Sequence, residues 1–128
     1  MNTSYKRENY NSVSPYLVVQ GADKVVEFLT RVFNAVELHR YEGENQRVMH
    51  AEIRIDDTVV MLADSNEDWP PVPSHVHIYV KDVDETYRLA LEAGATSVQV
   101  PQKKQDEDKR GGVKDPGGTT WWIATKVA

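Results

Sequence analysis

Apolar and polar positions along the chain fall into one arrangement that occurs twice. VSPYLVV, residues 13–19, reads as a strand, and Ala22, Val25, Val26, Leu29, Val32 and Phe33 then recur at the spacing of one helix face. RVMHAEIRI (47–55) and TVVMLAD (58–64) follow as two strands joined through Asp56-Asp57, a short hairpin signal. SHVHIYV (74–80) opens the second half. Its unbroken alternation puts His75, His77 and Tyr79 on one face and Val76, Ile78 and Val80 on the other. Asp82 with Glu85 forms a capping-box signal for the next helix. That helix carries Val83, Tyr87, Ala90 and Leu91 on one side and stops at Gly94, a residue suited to a left-handed cap. TSVQVP and TTWWIAT complete the second half as strands, with Asp115-Pro116-Gly117-Gly118 turning into the last.

The repetition holds at a fixed offset. Leu17-Val18-Val19 shifted by 61 falls on Ile78-Tyr79-Val80, and Thr58-Val59-Val60-Met61-Leu62 falls on Thr119-Thr120-Trp121-Trp122-Ile123. Asn34-Ala35 meets Gly94-Ala95 one residue earlier, at an offset of 60. Matching order and residue type across both halves indicate a duplicated unit.

Composition then narrows the class. A chain of 128 residues with 40% hydrophobic and 27% charged content is expected to form one globular domain with a substantial core. The net charge of -5, without a Lys/Arg stripe, argues against a nucleic-acid partner. YLVV and TVVMLA are far too short to cross a bilayer, so no membrane association is expected. MNTSYKRENY lacks the apolar core of a signal peptide, and a cytoplasmic location is the expectation. With no cysteine there are no disulfides, thiol nucleophiles or thiolate metal sites.

The stretches PYLVV, VVEFLTRVFNA, VMHAEIRI, HIYVKDVDETYRLALEAGA and VKDPGGTTWWIAT together resemble the glyoxalase/bleomycin-resistance superfamily, also called the vicinal-oxygen-chelate superfamily, and within it the short PhnB-like members. The resemblance runs from about Val13 to the end and leaves out a polar arm, residues 1–12. It implies an α+β fold of two βαβββ modules, about 13–64 and 74–126, within a single domain 13–128. It also implies a curved sheet whose concave side encloses a small-molecule cavity, and a homodimer.

On that architecture, strand alternation becomes a map of the cavity. The apolar set, Leu17, Val19, Met49, Ala51, Ile53, Ile55, Val60, Leu62, Val76, Ile78, Val80, Trp121 and Ile123, is expected against the helices. The opposite set is expected to line the cavity. It includes Ser14, Tyr16, His50, Glu52, Met61, His75, His77, Tyr79 and Trp122, with Val18, Arg54, Val59, Ala63, Thr120 and Ala124. The superfamily's metal-dependent members use four positions that fall here on Ser14, Met61, His75 and Trp122. Only the imidazole among these is a good ligand for a hard or borderline divalent ion, because an indole N–H cannot coordinate. A different set drawn from His50, Glu52, His75 and His77 needs strands of both halves to meet.

The expected function is therefore a metal-free, cofactor-free binding protein for an aromatic or hydrophobic drug or metabolite. Tyr16, Tyr79 and Trp122 would stack on the ligand. The alternative is a divalent-metal-dependent lyase, isomerase or dioxygenase of the same superfamily. No catalytic nucleophile can be named. His50 and Glu52 could act as base and acid, but Glu52 paired with Arg54 or another nearby cation is the plainer expectation. DSNEDWPPVPS (64–74) links the halves and holds Trp69, expected to pack. QKKQDEDKR (102–110) reads as a mixed-charge loop, and the final turn reads DPGGT where relatives commonly have DPFGH or DPFGN.

Overall fold

A computed structural model describes residues 5–128 of the chain, so residues 1–4 of the expected arm lie outside the described residues. The fold is α+β: two βαβββ modules, each a four-stranded mixed sheet with one helix. The first module holds β1 (Tyr16–Val19), α1 (Ala22–Phe33), β2 (Val36–Glu42), β3 (Val48–Ile55) and β4 (Thr58–Asp64). The second holds β5 (His75–Tyr79), α2 (Val83–Glu92), β6 (Thr96–Lys103), β7 (Asp108–Lys114) and β8 (Thr120–Lys126). The sheet orders are β1-β4-β3-β2 and β5-β8-β7-β6. No helix among the described residues is long and apolar enough to cross a membrane.

The duplication extends to strand register. Tyr16 lies opposite Met61 in the parallel β1–β4 pair, and His77 lies opposite Trp122 in the parallel β5–β8 pair, both partners displaced by 61 residues. Helix ends repeat too. Asn34 closes α1 at φ 57° and Gly94 follows α2 at φ 105°, two residue types that tolerate the left-handed region. The β3–β4 turn is made at Asp56, with φ 53°.

The two helix starts differ. Asp82 Oδ1 accepts the Glu85 N–H at 3.2 Å, while the Glu85 carboxylate turns to Arg88, so only half of the expected capping box forms. Gly21 has no side chain with which to cap α1. The Asp64 carboxylate, arriving from the end of β4, accepts the Ala22 N–H at 2.7 Å and the Val48 N–H at 2.8 Å instead.

One core serves both modules. The α1 face packs with Leu17, Val19, Ile53, Val60 and Leu62, and the same cluster takes in Val83, Ala90, Val113, Trp121 and Ile123. Phe33 and Trp121 meet across the modules with ring centroids 5.2 Å apart. The Asp115–Gly118 turn locks the contact. A Cβ on Gly117 would lie 2.5 Å from Val25 Cγ2 and 3.1 Å from Val19 Cβ. Asp115 holds that turn by accepting the Gly117 N–H at 2.8 Å, the Thr119 N–H at 3.1 Å and the Trp121 indole N–H at 2.8 Å.

Three sequence expectations need correction. First, β2 and β7 carry no continuous apolar pattern, and residues 102–110 are not one loop. β6 runs to Lys103 and β7 begins at Asp108, with only residues 104–107 between them. Second, Met49 faces outward at 55% exposed, while Val48 is fully buried. A bulge explains it. Tyr41 pairs with His50 but Glu42 with Val48, so Met49 is the extra residue and the alternation flips there. Third, Val59, Thr120 and Ala124 are buried rather than lining open space. Their strands, β4 and β8, each lie between two neighbours rather than at a sheet edge.

Replacing Gly117 with Ala should cost about 1–3 kcal/mol, because the added methyl must displace Val25 or the turn. Urea unfolding measures it, and an unchanged midpoint would show that the modules are not locked at this turn.

Candidate functional site

The faces that point away from the shared core each carry their own cluster. On the first sheet Glu52 is central and 4% exposed. Its carboxylate accepts from Tyr10 Oη at 2.6 Å, from Arg7 Nη2 at 3.0 Å and from the His50 imidazole at 2.8 Å. The other His50 nitrogen, Nδ1, lies 3.1 Å from the Tyr16 hydroxyl. The chain Tyr16–His50–Glu52 thus runs from an exposed phenol to a buried carboxylate. Tyr41 and Tyr16 flank the imidazole with centroids at 6.2 and 5.5 Å.

The polar arm supplies Arg7 and Tyr10. The Asn11 amide oxygen accepts the Val59 N–H at 2.8 Å, and Arg54 donates to the Asn9 carbonyl at 2.8 Å. Glu52 therefore pairs with Arg7 rather than Arg54. Burial pushes the Glu52 carboxyl upward, but the hydrogen bonds from Tyr10, His50 and Arg7 outweigh it and hold the group at about 2.

Beside this cluster lies a cavity of about 430 Å³ lined by Tyr16, Val18, Met49, Trp69 and Arg47 among others. Trp69 is presented by a small loop in which its N–H donates to Asn66 Oδ1 at 2.7 Å and its carbonyl accepts from the Asn66 N–H at 2.8 Å. It is 68% exposed, so the expected packing of Trp69 is not made within the chain.

On the second sheet Trp122 lies flat over Gly112, where a Cβ would sit 2.7 Å from the indole. The ring lies beside His75 with centroids 6.2 Å apart and planes 8° from parallel, and its N–H donates to His75 Nδ1 at 3.0 Å. His77 meets Tyr79 edge-on at 5.0 Å and accepts from Arg110 Nε at 3.1 Å. Arg110 also binds Asp108 at 2.8 Å and Asp106 at 3.1 Å, and Tyr79 donates to Asp108 at 2.7 Å. Burial and then the Arg110 charge push the His77 pKa below its ordinary value.

These contacts decide how far the candidate residues assemble. Tyr16, His50, Glu52 and Met61 share the first sheet, with Ser14 just before it; His75, His77, Tyr79 and Trp122 share the second. Among the described residues no hydrogen bond, ion pair or ring contact joins one cluster to the other. The four inherited metal positions do not fit a divalent ion. Ser14 Oγ is taken by Asn11 at 2.9 Å, Met61 offers a thioether, His75 Nδ1 is occupied by an indole N–H, and Trp122 has no lone pair to give. Among the described residues no three His, Asp or Glu side chains are grouped to hold an ion, so His50, Glu52, His75 and His77 do not converge within the chain.

Sequence reasoning missed Arg7, Tyr10, Asp108, Arg110 and Gly112. Arg7 and Tyr10 are three residues apart, with the guanidinium 4.1 Å from the phenol centroid, but nothing in a polar arm says which strand it crosses.

Residues 10–123 match the Glyoxalase/Bleomycin resistance protein/Dioxygenase superfamily, and the chain belongs to it. A Mycobacterium bovis protein described as uncharacterized, Mb0911c, is 35% identical over 130 residues, covering 91% of this chain and 84% of that protein. Its Mycobacterium tuberculosis counterpart Rv0887c, likewise uncharacterized, is 35% identical over 91% of this chain and 75% of its own length. Among solved structures, TioX from Micromonospora sp. ML1 superposes with a TM-score of 0.77 at 25% identity, over 91% of this chain and 99% of that one. A PhnB protein from Bacillus cereus, described as a putative 3-demethylubiquinone-9 3-methyltransferase, shares the fold with a TM-score of 0.73 at 16% identity, over 90% and 99% of the two chains.

The Glu52 pairing makes stability depend on acid pH. In the unfolded chain the carboxyl takes its proton near 4.5 and in the folded chain near 2, so the contribution is complete above the first value and lost as pH falls through the second. The difference is worth about 2–3 kcal/mol. Denaturation curves taken between roughly pH 6 and pH 2.5 should show it, and Glu52→Gln should remove that part of the slope. Equal slopes in the two proteins would contradict the pairing.

Proposed function

We propose that this chain is a metal-free small-molecule binding protein, that its ligand is a flat and largely apolar drug or metabolite, and that a homodimer completes its pocket. The observation that carries this reading is the exposure of rings on the two outward sheet faces and on the loop between the modules. Tyr16, Trp69 and Tyr79 are 51%, 68% and 63% exposed, beside Met49 at 55%. Open aromatic surface with a few convergent polar groups is what small-molecule sites and interfaces share.

Dimerisation accounts for the split site. Two clusters that do not meet within one chain can meet between two, with Tyr16 and His50 of one copy facing His75 and Trp122 of the other. The roughly 430 Å³ beside Trp69 falls within the usual range for such pockets. Stacking on several rings contributes about 0.5–1.5 kcal/mol per pair beyond area burial. Such a protein protects by trapping its ligand one for one, and it needs neither nucleophile nor metal.

Calorimetric titration of untagged protein with a panel of planar aromatic compounds tests the reading, with mass by light scattering alongside. The expected result is a dimer that binds at least one class of compound, with affinity falling roughly threefold to tenfold in Trp122→Ala and in Trp69→Ala. Stoichiometric zinc, manganese or iron in the purified protein, with a melting temperature raised by added metal, would favour the metal-dependent enzyme instead.

A further inference from the structure

We propose that the cavity beside Tyr16 selects ligands that present a hydrogen-bond donor, an O–H or N–H on a flat ring, because the Tyr16–His50–Glu52 chain makes the tyrosine oxygen an acceptor. The proposal rests on the small-molecule reading above and adds to it the chemistry of the group that docks at Tyr16.

The polarity follows link by link. Three donors, a guanidinium, a phenol and an imidazole, converge on the two Glu52 oxygens. The guanidinium can only donate, and together with the hydrogen bonds from Tyr10 and His50 it holds the Glu52 carboxyl far below neutral pH, so Glu52 is a carboxylate and accepts only. The imidazole nitrogen 2.8 Å from it, Nε2, must therefore carry the hydrogen. Arg7 already balances the carboxylate charge, and a neutral ring with Nε2–H leaves Nδ1 as an acceptor. The Tyr16 hydroxyl, 3.1 Å from Nδ1, then donates into the ring. Its oxygen keeps its lone pairs for whatever occupies the cavity.

Other acceptors around the cavity are already engaged. The Asp64 carboxylate takes the backbone N–H groups of Ala22 and Val48, and Asn66 Oδ1 takes that of Trp69. Arg47, the cation of the lining, directs Nη2 to the carbonyls of Asp64 and Ser65 at 3.3 and 3.2 Å. The Asp64 and Asn66 oxygens are thus partly taken by backbone N–H groups, whereas Tyr16 Oη, which gives its own hydrogen to His50, keeps both lone pairs among apolar walls given by Val18, Met49, Ala63 and Trp69. Each link toward the protein is fixed by the next, so the preference is built into the fold.

The test compares 2-naphthol with 2-methoxynaphthalene, which share a ring system but differ in the O–H, by calorimetry on wild type and Tyr16→Phe. Wild type should favour the naphthol roughly fivefold, although the ether is the more apolar compound, and Tyr16→Phe should erase the difference. Equal binding by wild type, or a preference that survives in Tyr16→Phe, overturns the proposal and leaves the pocket standing. Binding of neither compound overturns the pocket reading itself. Nitrogen NMR of His50 is a check that needs no ligand. The proposal requires hydrogen on Nε2 and none on Nδ1 near neutral pH, and the opposite tautomer or a doubly protonated ring overturns it.

Discussion

Each four-stranded sheet can bury only one face in this fold, and the rest of the molecule follows from which face that is. Period-two alternation sends Leu17, Val19, Ile53 and Leu62 from one module, and Trp121 and Ile123 from the other, into a single core shared with the helices. That core joins the modules through Phe33, Trp121 and the tight fit of Gly117 against Val25. The same alternation leaves Tyr16, His50, His75, His77, Tyr79 and Trp122 on the faces turned the other way. Burying those faces within the chain would require giving up the shared core. On the proposed function, a ligand and a second copy are what would cover them.

Glu52 shows how such a face is kept ordered without being closed. A carboxylate at the middle of a sheet costs free energy to desolvate unless it is paired and fully hydrogen-bonded. The arm meets that need with Arg7 and Tyr10, and His50 meets it from the same strand. The result is orientation as well as acid-dependent stability. The imidazole is fixed at both nitrogens, and Tyr16 is fixed through it. On the second sheet Trp122 and Arg110 do the same for His75 and His77 by different means, an indole N–H and a guanidinium N–H.

The fold was legible because helix and strand periods, the Asp56-Asp57 turn and the Gly94 stop are local signals, and the offset of 61 joined them into two modules. The strands that went unnamed are the ones whose pattern answers to something else. In β2 the sequence VELHRYE lies at a sheet edge, mostly exposed, where charge is tolerated and alternation fades. In β7 the pair Gly111-Gly112 looks like a turn. A Cβ on the first would meet Pro101 Cγ at 2.9 Å, and one on the second would meet Trp122. Met49 was misplaced because a bulge has no signature in the strand that carries it. Of the site, the strand residues could be read as sharing faces. The arm's partners of Glu52 could not, since Arg7 lies 45 residues away in a segment without periodicity.

Subunit complementation tests the central claim most directly: that the two open faces of one chain belong to two pockets, each completed by the other copy. One protein carries Tyr16→Phe with Trp69→Ala, on the first sheet and the loop that follows it, and a second carries His75→Ala with Trp122→Ala on the second sheet. Each alone should bind poorly. Refolded together, they should form mixed dimers in which one pocket pairs two unaltered faces, and calorimetry should recover wild-type affinity at reduced stoichiometry. Mixing that restores nothing, although each parent protein is folded and dimeric, would place any pocket within a single chain and contradict the account.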